Sequence, residues 1–277
     1  MTAVLDTAVY GKAGIRLLVV SGDEVTEATV RAMVNGGPAE SYTDGDNGRV
    51  VTTDTLREVA TAAVAEAGLR TPEGAALAVV GRIRGFYPFL PEVEAEVSAV
   101  RWQCLPGPGH GFSRRGLSLD RATVTSTADG VALTSGWAGP PVLLTRGSRF
   151  TGFIADERTP NQPAEDRAIA GDLELLWSAG GGGADYGVTR AAVCSAALAA
   201  FETCQSESVQ HLLTLMAQRV LEETPCLRSV EIRMDGIPLS IASGLDQGRR
   251  VYVVGTQPRP HTRVSLSRAE SVEGKLS

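Results

Sequence analysis

Between Asp54 and Ala67 the apolar positions are Leu56, Val59, Ala60, Ala63, Val64 and Ala67. Steps of three and four place them on one helical face, and Gly68 follows as a stop. Thr71-Pro72-Glu73 opens a second helix, with proline at a first-turn position that needs no N–H. The period then drops to two. Val93, Ala95, Val97 and Ala99 alternate with Glu92, Glu94, Glu96 and Ser98, which predicts a strand with one wet face. Upstream, Ile15 to Val20 and the stretch around Val30 read as strands. Arg121 to Thr127 and Val131 to Thr134 read as a hairpin about Asp129-Gly130.

The second half repeats this order. Val142 to Thr145 and Leu173 to Trp177 are strand segments, and a helix is expected over about Val188 to Cys204. Ser206 is expected to cap the next helix, whose apolar face is Val209, Leu212, Leu213, Met216, Val220 and Leu221. Val230, Ile232 and Met234 alternate with Glu231 and Arg233, and Val251 to Val254 forms a further strand. Grouped strands and helices of this kind predict an α+β fold with antiparallel sheets, in two modules at 1–137 and 138–277. Long amphipathic strands with few covering helices leave edges exposed in a single copy, so closure by association is the physical expectation.

Composition narrows the function. The chain has 277 residues, 43% hydrophobic and 21% charged, with a formal net charge of -6. That balance, with no dense basic cluster, argues against nucleic acid. No apolar run approaches the ~20 residues of a membrane span, and the N-terminus lacks the basic and apolar regions of a signal peptide. Four cysteines have no metal-like spacing, and Cys194 and Cys204 read as buried free thiols in helices. Together these predict a cytoplasmic protein. His110, His211 and His261 form no paired ligand motif, so no metal site is expected. Gly180 to Gly183 reads as a flexible loop, because no helix begins directly after it as a phosphate cradle requires.

Four short motifs in a fixed order carry the most specific signal. They are Tyr10-Gly11-Lys12 with Ile15-Arg16-Leu17, Ser41 to Asn47 leading to Thr52-Thr53-Asp54-Thr55, Phe150-Thr151-Gly152-Phe153 with Asp156-Glu157 and Arg167, and Ser208-Val209-Gln210 on an apolar helix. In order and spacing, from about residue 8 to about residue 265, the chain resembles the urate oxidase (uricase) family. The resemblance implies the tunnelling fold, with two antiparallel-sheet modules per chain and an oligomeric barrel, a homotetramer with sites at subunit interfaces. It implies a cofactor-independent oxidase that acts with dioxygen on urate or a related purine or N-heterocycle.

What the resemblance asks of each residue is chemically reasonable. Urate is flat and anionic. Phe150 offers an aromatic plate and Arg167 a planar, permanently charged fork. Gln210 offers a donor beside an acceptor, and Val209 a backbone N–H and apolar bulk. Singly these residues read as a core ring, a surface cation and a helix-face amide; their joint spacing favours the site. Lys12 with Thr53 is the implied base and proton relay, drawn from a neighbouring chain, with Asp54 in the same helical turn. Without the resemblance, Thr53 reads as a helix N-cap.

The pattern breaks at Asp235-Gly236-Ile237, where the family carries Asn-Lys-His. In that register Asp235 brings a carboxylate where a neutral amide is expected, which disfavours an anionic ligand. Ile237 cannot pass a proton. His211 adjoins Gln210, but adjacent helical residues point about 100° apart. Three readings follow: an oxidase with a diverged substrate, a non-oxidative enzyme of pterin or purine type on the same fold, and a ligand-binding homologue without catalysis.

Overall fold

The structure is a computed structural model that describes residues 4–107, 110–114, 116, 118–180, 185–242 and 250–269. Most of the Gly180 to Gly183 loop lies outside the described residues. The chain divides into two compact units, Met1–Gly136 and Trp137–Ser277.

In the first unit β1 (Val9–Ser21) and β2 (Glu24–Asn35) form a hairpin. A short α1 (Ala39–Thr43) leads to α2 (Thr53–Ala67) and α3 (Pro72–Phe86). Then come β3 (Glu92–Cys104), a two-residue β4 (Phe112–Ser113), β5 (Leu119–Thr127) and β6 (Gly130–Ala138), whose last two residues belong to the second unit. Strand β2 pairs antiparallel with β3, and β3 with β5. The alternation works as the sequence implies. Val30, Ala32, Val34, Val93, Ala95, Val97, Ala122 and Val124 bury one face with Leu56, Ala60, Ala76, Val79 and Ile83 of the helices. The opposite face is held by cross-strand ion pairs, among them Arg16–Glu27 at 2.8 Å, Arg31–Glu94, and Arg121–Glu96 at 3.7 Å.

Helix boundaries follow local chemistry. The Thr52 hydroxyl accepts from the Thr55 N–H at 3.1 Å, so the cap of α2 is Thr52, and Thr53 is the first helical residue. Gly68, with φ 66°, ends that helix. Thr71 caps α3, with Pro72 just inside it.

The second unit comprises β7 (Val142–Phe150), β8 (Ala164–Ala179), α4 (Tyr186–Thr203), α5 (Val209–Glu223) and β9 (Leu227–Gly236). A small β10 (Leu239–Ile241) pairs with β11 (Tyr252–Val254), and β12 (His261–Ser267) pairs with β9. Leu173, Leu175, Trp177, Val230, Ile232 and Met234 pack against Val193, Ala197, Leu212, Leu213 and Met216. Cys194 and Cys204 are in no disulfide and are only half-buried, short of the full burial expected of them.

The cap of α5 corrects the sequence expectation. Ser208, not Ser206, accepts from the His211 N–H, at 3.1 Å. Ser206 is buried beside β7: its N–H donates to Gly147 O at 3.0 Å, and its carbonyl accepts from Arg149 N–H at 2.7 Å. The connection from α4 engages a strand before it turns into a helix, so the helix starts two residues later.

Candidate active site

The first unit presents Lys12 through a break in strand register. Lys12 lies opposite Ala32 and Ile15 opposite Val30, so three steps along β1 match two along β2. The bulge contains Gly14 at φ 71°, a conformation natural to glycine. Gly11 is required by crowding, since a Cβ there would meet the Ala32 carbonyl oxygen at 2.2 Å. Tyr10 ties β1 to the approach of α2, its hydroxyl accepting from the Val51 N–H at 3.3 Å. Burial pushes its phenol pKa up, more than that hydrogen bond lowers it. Lys12 Nζ then reaches the first turn of α2 and donates to Asp54 Oδ1 at 3.0 Å. Arg57 adds a second cation at 3.4 Å from the same oxygen. The Lys12 hydrogen bond, followed by the charges of Lys12 and Arg57, holds the Asp54 carboxyl below the usual aspartate range. Thr53 is half-buried, and its hydroxyl has no hydrogen-bond partner among the described residues.

In the second unit Phe150 and Arg167 meet on neighbouring strands. Register slips on either side of Ser148 let Ser148 face Arg167 and Phe150 face Ala164. Gly147, at φ 90°, marks the irregularity, and the Asp166 carboxylate accepts its N–H at 2.6 Å. The Arg167 guanidinium carbon lies 4.5 Å from the Phe150 ring centre. Phe153 stacks on Phe150, with ring centres 4.7 Å apart and planes 18° apart. Asp156 organises the turn that follows, accepting from Arg158 N–H at 2.9 Å and from the Arg158 side chain at 3.2 Å. Those bonds hold its pKa low.

Arg167 is half-buried, and burial pulls its pKa down. Its Nε is buried without a hydrogen-bond partner among the described residues, and no carboxylate pairs with it there. It lines a cavity of about 330 Å³ together with Val209, Ile169, Met234, Ile237 and Tyr252. That volume lies in the ~300–1,000 Å³ range of small-ligand pockets. The connection stitched to β7 by Ser206 delivers Val209 to this wall at the first turn of α5. Gln210, the next residue, is exposed and is not on the wall. His211 is turned back on the helix start, where its Nδ1 accepts from the Glu207 N–H at 3.2 Å.

The broken motif divides. Ile237 lines the cavity, flanked on its wall by Gly236 and Pro238, three successive residues without a titratable side chain. Their amide donors are also spent: Gly236 N–H donates to Pro260 O at 2.8 Å and Ile237 N–H to Ala170 O at 2.7 Å. Asp235 is not on the wall, which corrects the expectation that its carboxylate faces a ligand. Strand alternation from buried Met234 turns it to the other face, where Oδ1 lies 2.6 Å from His261 Nδ1. Sequence reasoning missed Arg250 and Tyr252, which the β10–β11 pairing brings to the cavity. The only signal was the Val251 to Val254 strand.

The uricase family model matches residues 133–265. The uricase of Arthrobacter globiformis is 27% identical over 235 residues, covering 83% of this chain and 78% of its own length. That of Haloferax volcanii is 28% identical over 264 residues, covering 87% and 86%. In sequence the chain is similar to uricases over most of its length. The crystal structure of the Arthrobacter globiformis uricase superposes with a TM-score of 0.91 at 24% identity, covering 98% of this chain and 97% of that one. A uricase from Bacillus fastidious gives 0.79 at 21% identity, covering 94% of each. The fold is the tunnelling fold of the uricases, with antiparallel sheet and helices on one face of each unit. Among the described residues no helix is long and apolar enough to cross a membrane, and no cluster of three metal-ligating side chains occurs.

Proposed function

We propose that this chain is a member of the uricase family and a cofactor-independent oxidase that uses dioxygen on urate or a closely related purine. The observation that carries the reading is Arg167: a half-buried guanidinium on a cavity wall, with its Nε unsatisfied and no carboxylate paired with it among the described residues. Leaving such a group unpaired costs more than a surface cation would, so the site suits an anionic ligand that completes it. Phe150 supports the guanidinium plane and Val209 packs on the ligand. Gln210 joins the clamp by turning its exposed side chain inward.

Lys12 and Thr53 supply the base. The free Thr53 hydroxyl at a helix start favours an anion or an oxygen species, and Asp54 holds Lys12 in place. In the family this pair reaches the substrate of a neighbouring chain, so the working enzyme is a homotetramer in the cytoplasm. The substrate loses a proton and passes one electron to dioxygen. The two radicals join as a peroxide, which takes a proton and leaves as hydrogen peroxide with two ring electrons, and water then adds to the oxidised ring to give the hydroxylated product. Ile237 leaves this proton traffic without the family imidazole, so urate turns over slowly or a substrate with lighter proton demand replaces it.

Oxygen uptake by the purified protein, tested against a panel of purines, checks the reading. Uptake with hydrogen peroxide formation, lost in Arg167→Ala, is the expected result. Tight purine binding with no uptake would instead mark a ligand-binding homologue.

A further inference from the structure

The cavity wall holds a phenol for which the function above has no use. Tyr252 begins β11 and pairs with Ile241 of β10, and both residues line the cavity. Tyr252 is half-buried, and its hydroxyl has no hydrogen-bond partner among the described residues. That hydroxyl is therefore available to a ligand, as a donor and as an acceptor. The carboxylate on the same wall, Asp166, is already engaged by the Gly147 N–H. Gly236, Ile237 and Pro238 offer hydrocarbon and no free amide at the first two positions.

A purine presents N–H and C=O groups along more than one edge. Arg167 meets one such edge. The stretch from Gly236 to Pro238 has no free N–H to give an edge facing it, whereas a phenol both donates and accepts. The hairpin therefore supplies what this wall has lost.

We propose that Tyr252 is a specificity-determining residue of the site, its hydroxyl bonding a ring carbonyl or N–H that Arg167 does not reach. The ligand class is a flat N-heterocycle with hydrogen-bonding groups on two edges. This inference rests on the reading of Arg167 given above.

The test is calorimetric binding of urate under nitrogen, so that no turnover occurs, with hypoxanthine as a ligand that has fewer carbonyls. Tyr252→Phe removes one oxygen atom and is expected to weaken urate about 10- to 100-fold, the scale of one buried hydrogen bond. Hypoxanthine should lose less, so the preference for urate narrows. An unchanged thermal midpoint shows that the hairpin still folds. If Arg167→Ala loses urate affinity while Tyr252→Phe keeps both affinity and preference, the Tyr252 inference fails alone. If Arg167→Ala binds urate normally, or the unaltered protein binds neither ligand, the parent reading fails with it.

Discussion

The Arg167 guanidinium lies over the Phe150 ring, its carbon 4.5 Å from the ring centre, on strands whose register slips just beside them. The ring leaves the hydrogen-bonding edge of the guanidinium unspent, which is the chemical basis of the first prediction. Arg167→Ala should weaken urate binding by roughly 2–4 kcal/mol, the scale of a lost charge-assisted pair. Arg167→Lys should recover little of it, because a point charge cannot fork. Calorimetry measures both, and unchanged affinity in the alanine protein removes Arg167 from the site.

Ile237 and Asp235 should behave differently although two residues apart. Ile237→His puts a proton carrier on the cavity wall and should raise urate turnover by about 10²-fold or more. That gain should vanish when Lys12 is also replaced. Asp235→Asn should leave turnover nearly as it was, since its carboxylate faces His261. A large rate change in Asp235→Asn would contradict the strand parity.

Lys12 and Phe150 belong to different chains of one site if the family's arrangement holds. Lys12→Ala and Phe150→Ala proteins, each inactive, should regain activity when dissociated and reassembled together. Persistent inactivity after proven subunit exchange would argue for a site within one chain.

Asp54 should titrate below the ordinary aspartate value of about 3.9, because Lys12 and Arg57 favour its charged form. A lowered folded-state pKa adds stability that is present above the unfolded value and is lost as pH falls through the folded one. The group is exposed, so the effect on unfolding is small. Carbon-13 NMR of the carboxyl reads the midpoint directly, and it should move up in Lys12→Ala.

Gly11→Ala should destabilise the first unit by about 1–3 kcal/mol through overpacking. The added carbon would meet the Ala32 carbonyl oxygen, which belongs to a paired strand and has little room to yield. The denaturant midpoint measures it.

Much of this was legible in the sequence where a period and a cap agree. Helices α2 and α3 and strand β3 follow directly from spacing, with Gly68 and Pro72 as punctuation. Strand β8 runs over 16 residues, but only Leu173 to Trp177 was legible, because its first half carries Glu165, Asp166 and Arg167. The cap at Ser208 was hidden because Ser206 pairs with β7, a contact between distant parts of the chain. Tyr252 reaches the cavity through strand pairing, which leaves no local trace. The direction of Asp235 was available: continuing the alternation of Val230, Ile232 and Met234 sends it to the wet face.

The bulge at Gly14 makes the place of Lys12 depend on chain length as much as on residue identity. Before the bulge even-numbered Tyr10 packs toward the helices, and after it odd-numbered Ile15, Leu17 and Val19 do. Removing one residue between Lys12 and Ile15 would close the bulge and leave Lys12 opposite Ala32, on the face that it shares with Ile15. Removing both intervening residues would keep the downstream core in register yet turn Lys12 to the far side of the sheet, away from Asp54 and Thr53. A homologue two residues shorter in that stretch keeps its lysine and loses its base.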